Sequence, residues 1–399
     1  MERYDVAVIG AGPAGSMAAK YAAGCNASTI LLEEHPGAGW PVQCAGLLGV
    51  EALEESELEL GSFAIRSVRG ATVYSPGGHR LSFRARKEKA WVVDRRLFDR
   101  ALLSAALETG ADLWIGSPVI DLAWERGRSI LTVGRGDGSR QLEARVVISA
   151  EGVKAKIARS MGIAPPAEIL SGAQVEVPFK VEDLDKVEIF LGNGVAPGLF
   201  AWAIPSQEGA ARIGLCCREN AYRQLERLLK SRLVESRLLG GPVDLVVGGL
   251  PLGPPPSTVA DGLIAVGDAA GQVKPTSGGG VYPGLVCAKI AGRVAAAAAQ
   301  EDDSSAARLG EYERLWRKAI GGELSTGMRV HRMMNRMTDD ELDLVFGHLG
   351  TKESLIEIIE AHGDLDRPST VIKKIMPRLG LSDLKIARMF WKLYRECGD

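Results

Sequence analysis

The first 35 residues limit this chain more than any other stretch. Tyr4-Asp5-Val6-Ala7-Val8-Ile9 is a short, mostly apolar run that leads directly into Gly10-Ala11-Gly12-Pro13-Ala14-Gly15. A run of small residues follows (Met17, Ala18, Ala19, Tyr21, Ala22, Ala23), then a second apolar run, Thr29-Ile30-Leu31-Leu32, which ends at Glu33. The pattern predicts a strand, a helix and a second strand, arranged to bind a dinucleotide. Gly10 permits the tight turn, Gly12 lets backbone approach a pyrophosphate, and Gly15 lets helix and strand pack closely. The helix N-terminus offers free N–H groups to phosphate, Ala14 sits in its first turn, and Glu33 can accept from a ribose hydroxyl.

A distant segment narrows the cofactor. Ser257-Thr258-Val259-Ala260-Asp261-Gly262 reads as a turn, Leu263-Ile264-Ala265-Val266 as a buried strand, and Gly267-Asp268 stands at its carboxyl end. Ligands of open α/β sheets bind at that end of the strands, where an Asp can accept from the ribityl chain of a flavin. Ser277-Gly278-Gly279-Gly280 then opens a second helix at Val281. Three glycines allow backbone to lie flat against a ring, and the helix dipole favours negative charge on a reduced flavin. Together the two segments predict FAD.

These residues resemble the geranylgeranyl reductases, flavoproteins of the p-hydroxybenzoate hydroxylase superfamily. Further likenesses are Pro41-Val42-Gln43-Cys44, Val92-Val93-Asp94-Arg95-Arg96-Leu97-Phe98-Asp99, Pro197-Gly198-Leu199-Phe200-Ala201-Trp202-Ala203-Ile204-Pro205, and Tyr312-Glu313-Arg314-Leu315-Trp316-Arg317. The resemblance implies that Cys44 lies beside the flavin and that Arg95 contacts its diphosphate. It also implies that Gly267, Asp268, Pro275, Gly278, Gly279, Gly280 and Val281 bind the flavin, and that Phe200, Trp202 and Ile204 meet substrate. Cys44 and Trp202 are the catalytic candidates. The chain departs from the family pattern where Ala45-Gly46-Leu47 replaces a Gly-Glu-Gly-like sequence, where Phe200 and Ile204 replace Tyr and Phe, and at Ala150-Glu151-Gly152 with Ala155.

The expected architecture is α/β, α+β overall: a Rossmann-like FAD-binding domain with an inserted antiparallel β-sheet substrate domain and a C-terminal helical region. Residues 1–65, 92–160 and 245–304 are assigned to the FAD domain, 66–91 and 165–244 to the substrate sheet, and 305–399 to the helices. Helix stops are expected at Gly321-Gly322, Gly350, Gly363 and Pro368. Within the FAD domain, residues 129–141 read as a hairpin and Val146-Val147-Ile148-Ser149 as a separate strand.

A net charge of −2 over 399 residues gives no global attraction to nucleic acid. Six cysteines without C-x-x-C or metal-ligand spacing predict reduced thiols in a cytoplasmic protein and no metal site. An N-terminus that opens on a strand predicts no signal peptide, and no run of eighteen apolar residues predicts no membrane-spanning helix. Lys385, Arg388, Lys392 and Arg395 recur at helical spacing among Leu384, Ala387, Phe390, Trp391 and Tyr394. They form either the solvated face of a packed helix or a peripheral contact with the inner membrane surface.

The favoured function is reduction of carbon–carbon double bonds in geranylgeranyl or polyprenyl chains, with redox chemistry supplied by the flavin. The substrate would be a prenyl lipid or another isoprenoid. The alternatives are a flavin monooxygenase or halogenase on the same scaffold, and a non-catalytic prenyl-binding escort that keeps the fold and has lost FAD. An external electron donor is expected, a ferredoxin-like protein, NADPH or another; with no second G-x-G-x-x-G, the sequence does not say which.

Overall fold

The computed structural model describes residues 1–136, 138–382, 386 and 388; side chains are described through Ile375 and for Arg378, Ile386 and Arg388. Of the basic positions near the C-terminus, Lys385, Lys392 and Arg395 lie outside the described residues, as do the apolar positions Leu384, Ala387, Phe390, Trp391 and Tyr394.

The first strand, Glu2–Ile9, is central to an eight-stranded sheet. Its parallel neighbours are Thr29–Leu32 and Gly138–Ser149, with Val8 opposite Leu31 and Ile148. Leu263–Ala265 and Asp112–Trp114 extend the parallel part outward. Val6, Val8, Leu31 and Ile148 face the core formed with helices Pro13–Gly24, Arg95–Glu108 and Val281–Gln300. Ala7, Ile9, Ile30 and Val147 face the opposite side, against the short helix Lys156–Ser160. Such two-sided burial explains why these strands read as continuous apolar runs.

Helix Val281–Gln300 is long and apolar enough to cross a membrane by length and composition, contrary to expectation, yet 67% of its apolar window is buried inside the protein. It packs in the same core as Met17, Ala18 and Ala22.

Three further expectations are corrected. Residues 129–141 form the expected hairpin, but 146–149 is not a separate strand. Gly138–Ser149 is one strand that pairs antiparallel with Arg128–Arg135 along its first half and parallel with Glu2–Ile9 along most of its length. Strand Asp244–Leu252, expected with the flavin sheet, instead pairs with Glu168–Pro178 at the edge of a second, seven-stranded sheet. That sheet runs Asp244–Leu252, Glu168–Pro178, Ala210–Cys217, Phe200–Gln207, Lys186–Phe190, Gly70–Tyr74, Arg80–Arg84. It is antiparallel except where Lys186–Phe190 meets Gly70–Tyr74 in parallel. Finally, Gly321-Gly322 does not stop the helix. A π-helical turn, Arg317–Gly321, carries the chain into Gly322–Arg336, because Trp316, Ile320 and Leu324 all bury against the first core. The helices do end at Gly350 and before Gly363.

A three-stranded sheet, Leu47–Gly49, Ala90–Val93 and Ala64–Val68, bridges the two larger ones. It carries the arm that begins at Cys44.

Candidate flavin and substrate site

The dinucleotide turn is held by its own backbone and by Glu33. A Cβ at Gly15 would stand 1.8 Å from the Gly10 carbonyl oxygen, so the crossing of turn and helix admits glycine alone. A Cβ at Gly12 would meet nothing within 4 Å, which leaves open space over the helix N-terminus Pro13–Gly24. Glu33 is buried at the end of its strand, where Oε2 accepts from Ala11 N–H at 2.8 Å and Oε1 from His35 N–H at 2.8 Å. A carboxylate oxygen can accept twice, so Oε2 retains capacity for a hydroxyl.

The structure brings the two sequence-predicted motifs together. The Ala14 methyl lies 3.0 Å from a Cβ position on Gly267 and 3.7 Å from one on Gly284. Beside them, the Asp268 carboxylate accepts no hydrogen bond among the described residues. Its Oδ1 stands 2.7 Å from a Cβ position on Gly280, so Gly280 leaves room for it. Burial pushes the Asp268 carboxyl up to about 6, against the opposing pull of Arg95.

Arg95 begins its helix just after the cap Asp94 and forks onto Asp99, at 2.9 Å from Nε and 3.1 Å from Nη2. Burial works against the guanidinium charge, but Asp99 outweighs it and holds Arg95 charged, with the Cys44 side chain beside it. Cys44 is half-buried, and its Sγ accepts from Gly46 N–H at 3.3 Å. Cys216, on the facing sheet, is pushed up to about 12 by burial, reinforced by Cys217 and Cys44.

The 275–280 loop holds two polar groups without protein partners: Thr276 Oγ1 and Ser277 Oγ are buried and unbonded among the described residues. Pro275 packs against Gly327 of the C-terminal helices, and Val281 packs against the first core. Helix Val281–Gln300 starts here without a side-chain cap. An open turn over one helix N-terminus, an unpaired, half-buried carboxylate and two orphaned hydroxyls before a second helix fit an elongated, polar, anionic cofactor such as a flavin dinucleotide. When bound, that group supplies hydride chemistry.

Opposite this loop, Phe200, Trp202 and Ile204 alternate along one strand and share one face. They cluster with Ala45, Leu47, Cys216 and Leu365. Phe200 and Trp202 meet edge to face, with centroids 6.2 Å apart. Trp202 is only 9% exposed, and its Nε1–H donates to Gln174 Oε1 at 2.9 Å, so its indole is fixed as part of the wall. Phe200 is the more accessible of the two rings.

Three positions escaped the sequence reading. Gln174 orients Trp202. Arg212 donates through Nη1 to the carbonyls of Ala45 and Val93, at 2.9 and 3.1 Å, and so ties the Cys44 arm to the substrate sheet. Lys274 forms a buried ion pair with Asp366. Each acts through a partner far away in sequence and has no local signature.

Fold and site define a flavoprotein oxidoreductase. The family model described as lycopene cyclase protein matches residues 5–345, so the chain belongs to that broad family by pattern. A digeranylgeranylglycerophospholipid reductase of Methanocaldococcus jannaschii is 36% identical over 358 residues, covering 87% of this chain and 90% of the relative. A geranylgeranyl bacteriochlorophyll reductase-like protein of Thermoplasma acidophilum superposes with a TM-score of 0.85 at 26% identity, over 98% of this chain and all of that one. A flavin-dependent brominase, at 16% identity and a TM-score of 0.71 over 92% of this chain and 94% of its own, shares the fold alone. This chain belongs to the geranylgeranyl reductase family.

Proposed function

We propose that this protein binds FAD noncovalently and saturates double bonds in the geranylgeranyl chains of an ether-lipid precursor of archaeal type. The observation that carries the reading is the placement of the apolar wall Phe200, Ile204, Ala45 and Leu47 beside Cys44, on the arm that Arg95 faces.

An isolated alkene lacks a carbonyl to polarise it, so its reduction needs a proton at one carbon as well as hydride at the other. Protonation gives the tertiary carbon cationic character. The apolar wall excludes water from that carbon, and the face of Phe200 stabilises it by about 0.5–2 kcal/mol. Cys44 holds a thiol proton on the same side, with its sulfur oriented by the Gly46 N–H. Each double bond gains one hydride and one proton. Two electrons must return from an external donor of the ferredoxin or NADPH class, and protons from solvent must restore the Cys44 thiol and complete the reduced flavin.

Anaerobic reduction by dithionite, followed by addition of a geranylgeranyl lipid, tests the proposal. Substrate-dependent flavin reoxidation with a mass gain of hydrogen pairs in the lipid is expected. Reoxidation that no geranylgeranyl compound accelerates would sink it.

A further inference from the structure

The 364–369 segment leaves the C-terminal helices and returns to the flavin-facing loop. Asp366 and Lys274 form an ion pair at 2.7 Å, with side chains only 1% and 4% exposed. Lys274 Nζ also donates to the Leu365 carbonyl at 2.7 Å, and Asp366 Oδ2 accepts from Ala52 N–H at 3.0 Å. Ala52 lies on the short helix that follows the Cys44 arm. On the outside, Arg367 donates to the Tyr282 hydroxyl and pairs with Glu51 at 2.7 Å. Tyr282 is in the first turn of the flavin-facing helix.

This pair sits against the predicted cofactor site. Lys274 Nζ is 3.0 Å from a Cβ position on Gly279, and Leu365 joins the cluster of Phe200, Trp202, Ala45 and Leu47. Replacing a buried ion pair with apolar residues of similar size is often neutral or stabilising, so stability alone gives little reason to keep one. What the pair does supply is a fixed arrangement of three separate segments.

We propose that Lys274 and Asp366 form a positioning latch. It sets the 275–280 loop for the flavin ring and seats Leu365 as a wall of the prenyl pocket, making Leu365 a specificity-determining residue. The proposal rests on the flavin and prenyl reading above.

Three variants test it in the full chain. Asp366→Asn leaves Lys274 without its counter-charge and is expected to weaken FAD binding, followed by flavin fluorescence, by about tenfold or more and to shift the visible flavin bands. The paired replacement Lys274→Met with Asp366→Leu is expected to restore the melting temperature but not FAD affinity. Recovery of both would reduce the pair to packing and overturn the latch. Leu365→Ala is expected to change KM and the distribution of partly reduced lipids while FAD affinity holds; an unchanged distribution would remove Leu365 from the pocket. If the wild-type protein takes up no FAD, the cofactor reading fails and the latch with it. If the wild type binds FAD and Asp366→Asn binds it equally well with the same spectrum, the latch alone fails.

Discussion

The two glycine-rich turns of the flavin site are built on opposite plans. At residues 10–15 the backbone closes on itself: the Gly10 carbonyl occupies the space a Gly15 side chain would need, and Glu33 ties down Ala11. At residues 275–280 the chain keeps buried hydroxyls without partners, next to an Asp268 carboxylate equally without one. The first turn is complete without a ligand. The second holds polar groups that have no partner among the described residues. Under the proposed function, a flavin dinucleotide would be gripped at one end by a preformed cradle and at the other by groups whose desolvation its binding would relieve.

Substitutions at the first turn separate fold from fit most strongly. Gly15→Ala forces helix Pro13–Gly24 off the Gly10 turn and is expected to cost about 3 kcal/mol or more, seen as a large drop in melting temperature. Gly12→Ala, which meets nothing nearby, should melt like the wild type yet lose most of its FAD. Equal melting temperatures for both variants would break the distinction.

Asp268 gives the next largest effect, with a sign that depends on pH. Its folded carboxyl titrates at about 6 against an ordinary 3.8, so the folded protein holds this proton more tightly than the unfolded chain does. The resulting stability is fully present below the unfolded value and is lost as pH rises through about 6. In flavin-free protein, Asp268→Asn should therefore raise stability above pH 7 by about 2–3 kcal/mol and give no gain near pH 3. The same variant should bind FAD more weakly. Stabilisation that is equal at both pH values would show that the carboxylate is already satisfied.

The smallest effects belong to Thr276→Val and Ser277→Ala. Neither hydroxyl has a partner to lose in the flavin-free protein, so thermal stability should stay level or rise slightly. FAD affinity should fall by about 0.5–1.5 kcal/mol for each hydroxyl that bonds the cofactor. If both variants keep full affinity, the contrast between the two turns is one of packing only.

How far the sequence could be read follows the range of the interactions. The strand, turn and helix of residues 4–33 are specified by neighbours, so glycine spacing and apolar runs disclosed them. Strand Asp244–Leu252 was visible as a strand but was placed in the wrong sheet, because which sheet receives it depends on Glu168–Pro178, far upstream. Gly321-Gly322 read as a stop because its local propensity is poor for a helix. The burial of Trp316, Ile320 and Leu324 on one side overrides that propensity. Gln174, Arg212, Lys274 and Asp366 are ordinary polar residues until a partner at least 28 positions away faces them.

The interleaving of the two large sheets also has a consequence during synthesis. Strand Glu2–Ile9 leaves the ribosome early, but the parallel sheet it anchors is finished only by Leu263–Ala265. In between, the chain must lay down both Gly70–Tyr74 and its parallel partner Lys186–Phe190 in the other sheet. At ordinary elongation rates that interval is on the order of tens of seconds, during which apolar strands of an incomplete sheet are exposed to solvent or to one another. A nascent chain of this topology therefore has a long window of vulnerability to aggregation, and chains halted before residue 263 should be strong clients for chaperones.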